Sequence, residues 1–175
     1  MTQPCALIMA GGTGGHIVPA LAVAHALRER GWRVHWLGAP GSMESRLVPA
    51  RGFALELVGF SGVRGMGLRT LAALPWRLLK ACGQSVAVLR RVRPDVVVRL
   101  GGYITFPAGV MAALMGKPLV LHEQNSVAGM ANKVLAVLAR RVFTAFPHVL
   151  KKALWVGNPL RANFIGVSDP TTRFA

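Results

Sequence analysis

"CALIMAGGTGGHIVPALAVAHALRERG", residues 5 to 31, joins an apolar run to a helical pattern through a turn that holds four glycines, a threonine and a histidine. A strand that is apolar at every position, as residues 5 to 10 are, suits a parallel sheet covered on both faces. From residue 17 to 30 the spacing is helical. Pro19 falls where a first-turn proline is tolerated, Arg28 and Arg30 suit the negative end of the helix dipole, and Gly31 can take the left-handed stop. The same alternation continues along the chain. Strands are predicted at 5 to 10, 33 to 37, 54 to 58, 95 to 98, 118 to 121, 142 to 145 and 154 to 156. Helices are predicted at 17 to 30, 43 to 51, 68 to 91 with a break at Pro75, 104 to 116 and 127 to 140. That order predicts an α/β fold, a Rossmann-like doubly wound parallel sheet.

The 175 residues, 53% of them hydrophobic, suffice for one core of ordinary domain size. The 21 Lys and Arg against 6 Asp and Glu give a net charge of +15, which attracts phosphates, nucleic acid or an anionic membrane surface. Cys5 and Cys82 form neither a CxxC pair nor a metal-ligand cluster, so two reduced structural thiols are expected. No basic segment precedes an apolar one at the start, which argues against a signal peptide. The longest uncharged run, 100 to 116, contains Pro107 and several glycines, and a buried helix suits it better than a membrane span.

Ligands of such sheets bind beyond the carboxyl ends of the strands. Three loops there are unusual: Gly11 to His16, "GGYIT" at 101 to 105, and "HEQNS" at 122 to 126. Glycines let backbone approach a ligand closely, and a helix start offers N–H groups to phosphate. The spacing excludes two common uses. A dinucleotide fingerprint counted from Gly11 puts its later glycines on Thr13 and His16, and no Lys-Ser or Lys-Thr follows to make a Walker loop. Six scattered acids also make a glycosidase carboxylate pair hard to build.

Five ordered stretches carry a resemblance: "MAGGTGGHIVPALAVA", "SGVRGMG" (61 to 67), "GGYITFPAG" (101 to 109), "HEQNSVAGMANK" (122 to 133) and "GNPLR" (157 to 161). Together they resemble the N-terminal domain of the MurG family, inverting GT-B glycosyltransferases of peptidoglycan synthesis. The resemblance implies transfer of N-acetylglucosamine from UDP-N-acetylglucosamine to lipid I, giving lipid II, at the cytoplasmic face of the bacterial inner membrane. It implies no cofactor and no essential metal. It also implies that residues 1–160 are the acceptor-binding domain, that 161–175 begin an interdomain linker, and that a donor-binding domain lies outside this chain, without which the chain is inactive. Thr13, Gly14, Gly15, Asn125 and Arg161 are implied to line the donor side. Gly11, Gly12, Gly101, Gly102, Tyr103 and Glu123 are assigned to the acceptor and its pyrophosphate, although Glu123 could equally hold a neighbouring loop. One departure is Arg99, where the family usually has a small residue.

His16 is the candidate catalytic residue, because an imidazole can take the proton that an attacking sugar hydroxyl must lose. The same position would also serve to bind the acceptor pyrophosphate or to cap the turn. His25, His35 and His148 read as packing or loop residues. A second surface is expected from 68 to 80, where leucines share a helix with Leu68, Arg69, Trp76, Arg77 and Lys80, assigned to the membrane. A nucleic-acid partner is not expected. Its support is charge alone, and the single tyrosine and few other aromatics make no stacking platform.

Overall fold

The computed structural model describes residues 3–60 and 73–160. Its elements are β1 (Cys5–Ala10), α1 (Gly14–Glu29), β2 (Arg33–Gly38), α2 (Met43–Leu47), β3 (Ala54–Leu57), α3 (Leu74–Val92), β4 (Val96–Gly101), α4 (Phe106–Leu114), β5 (Leu119–Glu123), α5 (Met130–Leu138), β6 (Arg141–Thr144) and β7 (Leu154–Trp155). The seven strands form one parallel sheet in the order β3-β2-β1-β4-β5-β6-β7. The order reverses between β1 and β4, so the chain leaves those two strands in opposite directions and opens a crevice at their carboxyl ends.

β1 shows why the doubly wound reading holds. Leu7 and Met9 belong to a core shared with Val88 and Leu89 of α3, Ala108 and Ala112 of α4 and Leu135 of α5. Ile8 and Ala10, on the opposite pleat, pack with Ile17, Ala20, Leu21 and Ala24 of α1. Every β1 residue is therefore buried. The cover is uneven. α1 lies over the β1, β2 and β4 side, while Val120, His122, Phe143 and Val156 line, with Val23, Leu27, Val96, Val98 and Pro159, an apolar groove of about 450 Å³.

Several boundaries differ from the sequence expectation for local reasons. α1 starts at Gly14, three residues early, so Pro19 is an interior residue and the Gly15 carbonyl lacks its usual i+4 donor. Gly31 does take the left-handed stop, at φ +80°. Pro49 closes the predicted 43 to 51 helix after Leu47 and starts a separate 3-10 turn, Pro49–Arg51. Among the described residues the helix begins at Leu74, with Pro75 in the first turn of α3 where its missing N–H costs no bond; the part expected before residue 73 lies outside the described residues. His35 is more than a packing residue: its Nδ1 lies 3.1 Å from Glu56 Oε1, and Arg91 bonds the other carboxylate oxygen. Burial alone would raise the Glu56 carboxyl, but those two partners hold it below its ordinary range.

Candidate active site at the strand-order reversal

The three loops, two of them glycine-bearing, converge where the strand order reverses. A register shift between Met9 and Ala10 sets Ala10 beside Gly101 and brings the β1 and β4 loops together. Gly102, at φ +90°, lies so close to the first loop that a Cβ there would be 2.4 Å from the Gly11 carbonyl oxygen. A Cβ on Gly101 would fall 2.5 Å from Nδ1 of His16. The imidazole thus lies against the Gly101 α-carbon, half-buried. Its Nδ1 is 3.2 Å from Oε1 of Gln124. An amide oxygen only accepts, so Nδ1 carries the hydrogen, and in the neutral ring Nε2 keeps the lone pair.

The glycines divide by what surrounds them. Gly11 packs against Ile104 and Glu44, and Gly101 and Gly102 serve contact between loops. Gly12 and Gly14 face open space, and Gly15 meets only the Thr13 hydroxyl at 3.8 Å. Room for a ligand therefore lies along Gly12 to Gly15 at the start of α1. Thr13 occupies the N-cap position with no side-chain cap bond, and the first-turn N–H groups of Gly14 and Gly15 have no carbonyl a turn behind them. The α-carbons of Gly11, Gly101 and Gly102, expected at the acceptor phosphate, abut neighbouring side chains and backbone, where a Cβ would not fit.

Behind each loop a buried charged side chain fastens the backbone. Glu44, fully buried, accepts from the Gly12 N–H at 3.2 Å and the Ala39 N–H at 3.1 Å. Arg99 donates from Nε to the Thr105 hydroxyl at 3.0 Å and from Nη2 to the Gly102 carbonyl at 2.9 Å, while its buried Nη1 has no partner. Burial lowers the Arg99 guanidinium to about 10, opposed by the Glu123 charge, so it stays protonated at neutral pH. Glu123 accepts at Oε1 from the N–H of Asn125 at 3.0 Å and from its side-chain amide at 2.9 Å. Its Oε2 accepts from the Gly129 N–H at 3.3 Å and the Asn132 amide at 2.6 Å.

Glu123, expected at the acceptor, is buried, with Oε1 accepting from Asn125 in its own loop and Oε2 from Gly129 and from Asn132 of α5. Asn125 is exposed, with one Nδ2 hydrogen bonded to Glu123, which leaves its Oδ1 and its second N–H for a ligand. Tyr103 stands out at 52% exposure at the start of the 3-10 turn Tyr103–Thr105, which leads directly into α4. His122 donates from Nε2 to the Gly157 carbonyl at 2.9 Å. Burial pushes its imidazole below the ordinary range, against that bond and the Glu123 charge.

Sequence reading missed Glu44 and Gln124. The scarcity of acids was a signal for Glu44, since a lone carboxylate at the second strand's end is conspicuous among six. Arg161, Leu68 and Arg69 lie outside the described residues. Trp76 and Leu79 are exposed at 71% and 64% on the first turns of α3, with Lys80 exposed beside them. Arg77 is half-buried. Leu114 of α4 and Val137 of α5 are also exposed on the helices packed alongside. No helix among the described residues is long and apolar enough to cross a membrane, and no three His, Cys, Asp or Glu residues among them form a metal site.

Fold and crevice together define the class: a Rossmann-like α/β domain with an open glycine turn at its strand-order reversal. The chain belongs to the glycosyltransferase family 28 N-terminal domain family, whose model matches residues 6–144. It is 72% identical over 180 residues to the UDP-N-acetylglucosamine--N-acetylmuramyl-(pentapeptide) pyrophosphoryl-undecaprenol N-acetylglucosamine transferase of Albidiferax ferrireducens, covering 100% of this chain and 46% of that protein. The Burkholderia lata protein of the same name is 60% identical over 174 residues, covering 99% and 47%. The crystal structure of Acinetobacter baumannii MurG superposes with a TM-score of 0.79 at 37% identity, over 89% of this chain and 46% of that one. A UDP-N-acetylglucosamine 2-epimerase from Rickettsia bellii, at 11% identity and TM-score 0.60 over 85% of this chain and 40% of that one, shares the fold alone. The chain spans about half the length of the curated relatives it matches.

Proposed function

We propose that this chain is the acceptor-side domain of an inverting glycosyltransferase that moves N-acetylglucosamine from UDP-N-acetylglucosamine to the C4 hydroxyl of the N-acetylmuramoyl-pentapeptide of lipid I, giving lipid II. Identity of 60% to 72% over essentially the whole chain to relatives named for that transfer carries the reading. A second domain, outside residues 1–175, holds most of the sugar nucleotide. Residues 1–160 form the acceptor domain and 161–175 begin the linker. Thr13, Gly14, Gly15, Asn125 and Arg161 line the donor side, and Gly12 and Tyr103 meet the acceptor.

In the transfer, the C4 oxygen bonds to the anomeric carbon on the face opposite UDP. The bond to UDP breaks, and the electron pair leaves on the β-phosphate. His16 Nε2 takes the hydroxyl proton, with Nδ1 held by Gln124. The open glycine turn and the start of α1 supply N–H groups to phosphate oxygens. In the full-length protein, transfer to lipid I should exceed transfer to a diacylglycerol acceptor by at least about a hundredfold, since a site built around polar sugar contacts rejects an acceptor lacking them. Equal turnover with diacylglycerol would favour a GT-B enzyme of another lipid acceptor.

A lipid-linked acceptor requires the domain to sit on the cytoplasmic face of the inner membrane. Trp76, Leu79 and Lys80 suit that surface: an aromatic and an aliphatic side chain for the headgroup boundary, a cation for anionic lipid. Vesicles containing phosphatidylglycerol should bind the protein, less so at high salt, and Trp76→Ser with Lys80→Glu should weaken binding roughly tenfold. Equal cosedimentation with neutral vesicles would remove this surface from the reading.

A further inference from the structure

Arg99 is an unusual residue to find fully buried in the middle of a parallel sheet, paired in register with Met9 on one side and Leu121 on the other. It makes no ion pair among the described residues. It spends its charge instead on the loop that follows its own strand. The Gly102 carbonyl accepts from Arg99 Nη2 at 2.9 Å, from the Thr105 hydroxyl at 2.8 Å and from the Thr105 N–H at 3.3 Å. Thr105, itself buried, also accepts from Arg99 Nε. The arginine thus grips both ends of the segment 102 to 105, and exposed Tyr103 lies between the gripped points.

We propose that Arg99 is a positioning residue, which pins Gly102 and Thr105 so that Tyr103 is presented to the acceptor's pyrophosphate. The geometry follows from peptide planarity. A trans peptide sets C=O and the next N–H in opposite directions, so a Gly102 carbonyl drawn toward the guanidinium turns the Tyr103 N–H away from it. Gly102, at φ +90°, can hold that orientation without strain. Because Gly102 also abuts Gly11, the grip keeps the second loop at a fixed distance from the first. The proposal rests on the reading that an anionic acceptor occupies the crevice.

Tyr103 is the only tyrosine, so protein labelled with ¹⁵N-tyrosine gives one backbone amide resonance. A second sample labelled with ¹⁵N-glycine reports Gly12, Gly14 and Gly15. Titration with inorganic pyrophosphate at neutral pH should move the Tyr103 resonance to saturation. Arg99→Met should weaken that titration at least about fivefold, and Arg99→Lys should fall nearer the wild type than Arg99→Met does, since one hydrogen bond to a charged donor is worth about that factor or more. If Arg99→Met does not fold, Thr105→Val removes the hydroxyl that Arg99 and Gly102 share while leaving the arginine in place, and at least about a twofold weakening is expected. A Tyr103 resonance that stays still while the glycine resonances move overturns the role of Arg99 and leaves the anion site standing. Stillness of every resonance overturns both. Wild-type titration by Arg99→Met, or by Thr105→Val where that variant is needed, overturns the positioning role.

Discussion

Replacing His16 by alanine in the full-length protein should lower kcat by about a hundredfold or more while leaving donor affinity nearly intact. The ring has one nitrogen tied to Gln124 and the other carrying its lone pair, and it lies against Gly101, where no side chain could share the space. A group so placed can accept a proton from an attacking hydroxyl without first breaking a bond of its own. The loss should appear in kcat because proton transfer belongs to the transition state, not to donor binding. Steady-state kinetics with the two substrates varied separately distinguish the roles. If kcat survives and only the acceptor KM rises, His16 is a phosphate ligand and another group takes the proton.

Glu123→Ala should destabilise the fold by about 3 kcal/mol, a fall in Tm of roughly 6–12 °C for a domain of this size. Four donors converge on this carboxylate, from Asn125 twice, Gly129 and Asn132. Removing it strands them in a buried site, and Arg99 loses the negative charge that offsets its burial. Glu123→Gln should recover little, because its amide brings donors to a place that needs acceptors. Thermal or urea unfolding provides the measurement. A loss below about 1 kcal/mol would mean that water replaces the carboxylate at little cost.

The strands were legible because runs such as Asp95-Val-Val-Val98 and Leu119-Val-Leu121 are too short and too apolar for a surface helix, and glycines or prolines bound them. Helix starts were harder to place. Gly14 and Gly15 look like loop residues by propensity, yet the extended Thr13 begins the helix before them. The positions of the site loops could be read, but the division of labour within them could not. Whether a glycine faces ligand space or a neighbouring loop depends on partners such as His16 for Gly101, more than eighty residues away. Glu123 illustrates the same limit. Its neighbours in sequence allowed either role, and the loop-holding one depends on Asn132 folding back from α5. Arg99 stood out as a departure, but its grip on Gly102 and Thr105 needed the turn after β4 to be seen.

The groove beside α1, open among the described residues, affects how lipid experiments with this chain are designed. It presents Val98, Val120 and Phe143 to whatever amphiphile is in the tube, on the sheet face opposite the helices that carry Trp76 and Leu79. Detergent above its micelle concentration, or a greasy fluorescent reporter, has two places to go, and only one of them concerns the membrane. Uptake that persists in the Trp76→Ser/Lys80→Glu protein and ignores salt belongs to the strip of sheet. The salt-sensitive remainder measures docking to a charged bilayer.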